Sequence, residues 1–335
     1  MLVPRYWSEA SQRERRPDGS QTVVRRFGWS SSSQADADVH ARRRLEEALA
    51  VLRAGGAEAF ESFTRRERTV AYGGPDGLPI REEIVLERPG VDAVVTRNAY
   101  GALCLNTTRA MFVDVDRPLS RVGGYGCAAA LAGAAVGAIA APAWLGWHVA
   151  VGVAVGLVGA GLLGSAARRA VEQRDPQARD PLRWATERTR TWCDDRPVWR
   201  VAVYETPHGA RLLPVHAGFD ADDPEAAAFM AFVRADPLYV RIGRTQKCFR
   251  ARVSPKPWRV GIEAHFRTGG TWPVRDAGKL AARAAWVAAY DVASRGHASC
   301  RLVELVGTGR ADAGIDAVRR LHDELARATS SLPLA

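Results

Sequence analysis

The chain has 335 residues and a formal net charge of +10, from 47 Lys and Arg against 37 Asp and Glu. Its five cysteines (Cys104, Cys127, Cys193, Cys248 and Cys300) are scattered, with no CxxC and no Cys/His spacing of a zinc site, so they read as reduced thiols rather than a metal or disulfide framework. The basic balance points to a polyanionic partner: nucleic acid, nucleotides or an anionic lipid surface. A solvated, arginine-rich surface is the plainer reading of the same charge.

Charged residues (Arg5, Glu9, Arg13 to Arg16) interrupt the start of the chain, which is not expected to be a signal peptide. Thr22 to Trp29 reads as a strand. Asp36 to Leu52 reads as a helix with Val39, Leu45, Ala48, Leu49 and Leu52 on its apolar stripe and Gly55-Gly56 at its end. A second helix is expected over 57–65. Strand signals follow in series at 68–72, 83–87, 93–97, 102–106 and 111–116, with a Gly/Pro turn at 73–77. Strands in series rather than alternating with helices predict an α+β body with a mostly antiparallel sheet and flanking helices.

Val122 to Ala167 contains no Asp, Glu, Lys or Arg. A bilayer crossing takes about 20 apolar residues, so this stretch predicts a two-helix transmembrane hairpin, about 124–141 and 147–167, turning at Pro142 to Trp147. Gly152, Gly156, Ala160 and Gly164 form a small-residue ridge, as do Ala130, Ala134 and Ala138; such ridges suit close packing within the hairpin or a homo-oligomer. The basic flanks (Arg117, Arg121, Arg168, Arg169, Arg174) predict a two-pass protein of the inner membrane with both termini cytoplasmic. The expected organisation is therefore a first part of a cytoplasmic α+β domain at 1–120, a hairpin in the bilayer at 122–167, and the second part of the domain at 168–335. A buried Gly/Ala hairpin is the alternative.

After the hairpin come a helix at 181–193, a β-hairpin over 198–216 turning at Thr206-Pro207-His208-Gly209, and a helix at 223–234. Then follow a strand at 248–254, a strand at 258–265, a helix at 276–295 with Leu280, Ala284, Trp286, Val287 and Tyr290 inward, a strand at 300–306 and a helix at 312–328 with His322 on its surface.

Two stretches carry chemical signals. Met111 to Asp116 is an apolar strand whose Asp114 and Asp116, two residues apart, project from one face. Paired carboxylates are tolerated around a divalent cation, and Mg²⁺ takes one or two carboxylates with phosphate oxygens; two solvated aspartates at a strand end are the plainer reading. On the strand from Cys248 to Ser254, Arg250 and Arg252 share a face, with Lys256 beyond. Cations beside a carboxylate pair suit a metal–triphosphate complex; an edge strand guarded by charge is the alternative.

The order of these elements resembles the archaeo-eukaryotic primase superfamily, which includes the primase-polymerases, over roughly 90–120 and 195–260. Phe112-Val113-Asp114-Val115-Asp116 matches its acid-x-acid strand. Thr206-Pro207-His208-Gly209 with His216 matches its histidine strand. Asp236, Tyr239, Phe249-Arg250 and Lys256 match its third motif. The resemblance implies Mg²⁺ or Mn²⁺ on Asp114 and Asp116, with Asp236 completing the catalytic acids. His216, Arg250 and Lys256 would contact a nucleoside triphosphate, and template-directed nucleotidyl transfer on nucleic acid would be the activity. His216 lies farther from its turn than the pattern has it. Leu212 is near the expected position, and Arg211 is the nearest polar substitute. Two other classes stay open. A glycosyltransferase also uses an apolar strand ending in DxD, but normally with alternating strands and helices. A non-enzymatic basic module tethered to a membrane would bind nucleic acid, lipid or protein.

Overall fold

The computed structural model describes residues 3–15, 19–54, 79–118, 174–264, 266, 272–274 and 276–335. Its first unit is an antiparallel hairpin, β1 (Tyr6–Arg15) with β2 (Gln21–Ser30), covered by α1 (Gln34–Ala54). Ser33 and Asp36 start the helix reciprocally: the Asp36 N–H donates to Ser33 Oγ at 3.1 Å, and that hydroxyl donates to Asp36 Oδ2 at 2.8 Å. Ala37, Ala41, Leu45, Ala48, Leu49 and Leu52 recur at three- and four-residue spacing and face the hairpin. Gly28 makes the close approach possible, since a Cβ there would sit 2.2 Å from the Ala41 nitrogen.

Two four-stranded sheets, antiparallel throughout, carry the rest. One comprises β3 (Glu83–Glu87), β4 (Val94–Arg97), β5 (Leu103–Thr107) and β9 (Phe249–Arg252), in the order β3-β4-β5-β9. The other comprises β6 (Val113–Asp116), β7 (Val201–Thr206), β8 (Gly209–Pro214) and β10 (Arg301–Val306), in the order β10-β7-β8-β6. β6 and β9 are thus edge strands of different sheets.

The helices have a repeated start. α2 (Pro176–Arg179), α3 (Pro181–Asp194), α4 (Pro224–Phe232) and α5 (Pro237–Gln246) each begin with proline after an aspartate, and in each the aspartate side chain accepts a backbone N–H of the first turn. Proline's fixed φ and missing N–H suit the first helical position, and aspartate satisfies a free donor beside it. α6 (Ala277–Ser294) and α7 (Ala313–Ala326) begin with Asp276 and Asp312 as caps.

Strand alternation divides the interior in two. Val113, Val115, Val201, Val203, Ala210 and Leu212 pack with Trp192, Trp199, Phe229 and Met230. Phe112, Ala202, Tyr204 and Leu213, from the opposite face, pack with Val95, Leu105 and Ala251 of the other sheet, with Val253 just beyond β9, and with Ile315, Val318 and Leu321 of α7. The two sheets and α7 therefore share a core.

The antiparallel α+β body agrees with the sequence reading; the membrane anchor does not. Among the described residues no helix is long and apolar enough to cross a membrane. The two-helix transmembrane hairpin, and with it the two-pass inner-membrane placement, is corrected on that ground; residues 122–167 themselves lie outside the described residues. The helix expected at 57–65, the strand at 68–72 and the turn at 73–77 also lie outside them.

Other expectations fail locally. Pro237–Gln246, to which the sequence reading assigned no element, form α5. The strand expected at 258–265 is a 3₁₀ turn, Pro257–Arg259, followed by Gly261 at φ +78°; Pro255 and Pro257 remove two ladder donors and stop β9. On α6 the buried residues are Arg283, Tyr290 and Ser294, and Leu280 is exposed. His322 is fully buried rather than on the surface.

Candidate functional site

Asp114 and Asp116 lie on edge strand β6, on the face opposite Val113 and Val115. Their cross-strand partners on β8 are Arg211 and Gly209. Gly209 has to be small: a Cβ there would lie 2.2 Å from the Val115 carbonyl oxygen. Arg211 is buried and reaches Asp114 with two hydrogen bonds, Nε to Oδ1 at 2.8 Å and Nη2 to Oδ2 at 3.3 Å. Its Nη1 donates to the Arg252 carbonyl at 2.8 Å and lies 3.3 Å from His322 Nε2. Burial opposes the charge of Arg211, but the Asp114 carboxylate outweighs it and holds the guanidinium protonated beyond its ordinary range.

His322 continues this chain. Its Nδ1 lies 3.0 Å from Asp323 Oδ1, which fixes Nδ1–H as the donor and leaves Nε2 to accept from Arg211. Burial keeps the imidazole below its usual range and therefore neutral, against the pull of Asp323. Arg319 then donates to Asp323 at 2.7 Å. Arg211 is thus held from behind as well as in front.

The two edge strands are joined by Tyr239 of α5. Its hydroxyl donates to the Phe112 carbonyl, just before β6, and accepts from the Arg250 N–H of β9 at 3.3 Å. Asp236 places that helix: its own N–H donates to the Asp114 carbonyl at 3.0 Å, while its carboxylate accepts from the Leu238 N–H at 2.8 Å. Gln177 fixes the far end of β6, donating to the carbonyls of Asp116 and Arg234, each at 3.1 Å.

Asp116 is left with no hydrogen bond or ion pair of its own carboxyl among the described residues. Burial, then Asp114, then Asp236 push its pKa up to about 6; Arg211 and Arg252 pull the other way. Around it stand cations. Lys256 is lowered by burial, Arg252 and Arg259, and is steadied by Asp116 and Asp114. Arg259 is lowered by burial and Arg252, and is steadied by Asp116. Among the described residues, both terminal nitrogens of Arg259 and the Nε of Arg252 are buried without a hydrogen-bond partner. His208, in the β7–β8 turn, is lowered by burial and by Arg259, Lys256, Arg252 and Arg117. These groups sense one another across the end of β6, and together they make a basic rim around one carboxyl.

The sequence-expected residues divide accordingly. Asp114, Asp116, Arg211 and Lys256 come together. Asp236 is adjacent, but its carboxylate caps α5. Arg250 is spent elsewhere: its Nη2 donates to both oxygens of buried Glu82, at 3.0 and 2.8 Å. His216 lies five residues beyond Arg211 and packs on Trp199 at 4.5 Å, with the Arg200 backbone as its partner; it stands in the other half of the core, away from the carboxylates. Arg252, read in the sequence with Arg250 and Lys256 as a row of cations, belongs to the rim, and so do Arg259 and His208, which the sequence reading did not place at the site. The run Lys256-Pro257-Trp258-Arg259, with a cation on each side of a proline-fixed turn, was the signal for Arg259.

For a metal, the donor set is narrow. Among the described residues no group of three His, Cys, Asp or Glu side chains is arranged to hold an ion. Asp114 is engaged by Arg211, so Asp116 is the carboxyl with open coordination. This does not fit a divalent ion caged by protein alone. It fits Mg²⁺ or Mn²⁺ that arrives with phosphate oxygens, which needs only one or two carboxylates. Comparison with protein-family models, with curated proteins and with solved structures gives no match.

Proposed function

We propose that the chain binds a nucleoside triphosphate as its Mg²⁺ or Mn²⁺ complex at the end of β6. Arg252, Lys256 and Arg259 hold the phosphates, and Asp116 holds the metal with Asp114 beside it. The observation that carries this reading is the pairing of opposites left unmatched: buried guanidinium nitrogens of Arg259 and Arg252 without hydrogen-bond partners among the described residues, next to the half-buried Asp116 carboxyl, which has no hydrogen bond among them either. Buried polar groups are normally satisfied, and a metal–phosphate complex supplies acceptors to the one set and a cation to the other.

The reading is one of binding first. The primase-like resemblance extends it to nucleotidyl transfer, in which metals activate a hydroxyl and clamp the triphosphate. That step needs Asp114 as a ligand, and Asp114 is held by Arg211. Binding without transfer on a nucleic-acid template is therefore the form that the geometry favours.

Calorimetric titration of the full-length chain with ATP and Mg²⁺ tests it. Arg259→Ala and Arg252→Ala should each weaken binding by roughly 10- to 100-fold, the worth of a charged hydrogen bond. Affinity unchanged from that of the unaltered chain in both variants, or no binding by the unaltered chain, would refute the site.

A further inference from the structure

Trp258 is 56% exposed, although the backbone on either side of it is held by hydrogen bonds. It occupies the middle of the 3₁₀ turn, between Pro257 and Arg259. Behind it the chain is pinned: the Tyr290 hydroxyl donates to the Pro255 carbonyl at 2.7 Å and pairs with Ser254 Oγ at 2.6 Å, and Ser254 Oγ accepts the Leu103 N–H at 2.7 Å. The turn closes on itself through the Arg259 N–H to the Lys256 carbonyl at 2.9 Å. An exposed tryptophan costs solubility, and Trp258 is in neither of the apolar clusters that form the core among the described residues. Its neighbours are instead Tyr100, ring to ring at 5.4 Å, and the Lys256 ammonium, 5.5 Å over its face. Lys256 and Arg259, on either side of it, are the cations that face Asp116.

Resting on the nucleotide reading above, we infer that Trp258, backed by Tyr100, is the platform on which the base of the bound nucleotide stacks. A flat aromatic face beside phosphate-binding cations matches a ligand that joins an aromatic base to a polyanion. Stacking on an indole uses the π-face that every base has, so the platform takes purines and pyrimidines alike and carries no base-edge readout. Lys256 serves both parts, since its ammonium lies over the ring and within the field of the carboxylates.

The test compares ATP, CTP and inorganic tripolyphosphate, each with Mg²⁺, on the full-length chain and on Trp258→Ala, Trp258→Phe and Asp116→Ala. The unaltered chain should bind both nucleotides more tightly than tripolyphosphate by roughly 10- to 100-fold, the worth of one stacked base. Trp258→Ala should remove that advantage and leave tripolyphosphate affinity and thermal melting unchanged. Trp258→Phe should restore most of it. Nucleotides no tighter than tripolyphosphate, with both dependent on Asp116, would overturn the platform and leave the phosphate site standing. Loss of tripolyphosphate binding in Trp258→Ala would make Trp258 a support for the turn and likewise overturn it. No binding of any of the three to the unaltered chain would overturn both readings together.

Discussion

Asp114 and Arg211 face each other across the β6–β8 ladder, joined by hydrogen bonds of 2.8 and 3.3 Å, and behind Arg211 stands buried His322 at 3.3 Å. The pair does two things. It neutralises one of the two carboxyls on β6, and through Arg211 Nη1 and the Arg252 carbonyl it ties the sheet that carries the acids to the strand that carries the bases. Removing one partner of a buried pair strands the other, at a cost of about 3–5 kcal/mol. Arg211→Met and Asp114→Asn should each destabilise the fold on that scale, and a double-mutant cycle by urea denaturation should return a coupling of about 2–3 kcal/mol. Additive losses would mean that the two side chains do not act as a unit.

Asp116 predicts a pH dependence. Its pKa rises from 3.8 to about 6 on folding, chiefly through burial and then through Asp114 and Asp236. A group that holds its proton more tightly in the folded chain favours folding at low pH, and that favour is lost as pH climbs from about 4 to about 6. Metal-free Asp116→Asn should therefore come close to the unaltered protein near pH 4 and exceed its stability at pH 7 by about 2–3 kcal/mol. Denaturation midpoints of both proteins between those limits give the answer. A constant difference across the range would show that Asp116 is not strained in the folded state.

Arg250 and Glu82 separate scaffold from site. They form a buried, doubly hydrogen-bonded pair, and Thr96 Oγ1 donates to the same carboxylate at 2.5 Å. Glu82→Gln should cost about 3 kcal/mol in chemical denaturation, while ATP affinity, measured where the variant is folded, stays unchanged. A drop in affinity without a drop in stability would return Arg250 to the phosphate contacts.

Tyr239 gives a similar separation. Its hydroxyl serves the carbonyl before β6 and the N–H that opens the Arg250 position on β9. Tyr239→Phe leaves both backbone groups without that partner, so a loss of about 1–3 kcal/mol is expected. Hydrogen exchange should then quicken at the Arg250 amide. An unchanged amide would show that other contacts hold the two edges together.

Much of this architecture could be read from residue pattern. The alternation of Val113, Asp114, Val115 and Asp116 marked a strand with one polar face, and the Thr206-Pro207-His208-Gly209 turn located the β7–β8 hairpin that supplies Arg211. What failed had physical causes. Asp236 resembled a third acid in sequence, yet it is one of four Asp-Pro pairs that begin helices here, and the repeated pair was the clue to its role as a cap. Arg250 and Arg252 share a strand face, and only the fold brings Glu82, from more than 160 residues earlier, to claim the first of them. His322 sits on an amphipathic helix at a position that pattern alone cannot separate from surface, because its partners Arg211 and Cys300 reach it only in the folded chain. The charge-free run at 122–167 met the length criterion for a membrane hairpin, whereas no helix among the described residues is long and apolar enough to cross one.

The central claim is that the open carboxyl on β6 and the basic rim around it form one site for a metal–triphosphate complex. Electron paramagnetic resonance of Mn²⁺ with the full-length chain tests it directly. The account predicts little bound Mn²⁺ from metal alone, a bound signal when ATP is added, and loss of that signal in Asp116→Asn while the variant remains folded. Mn²⁺ and ATP bound equally well by Asp116→Asn, or no bound signal in the unaltered chain with ATP, would contradict it.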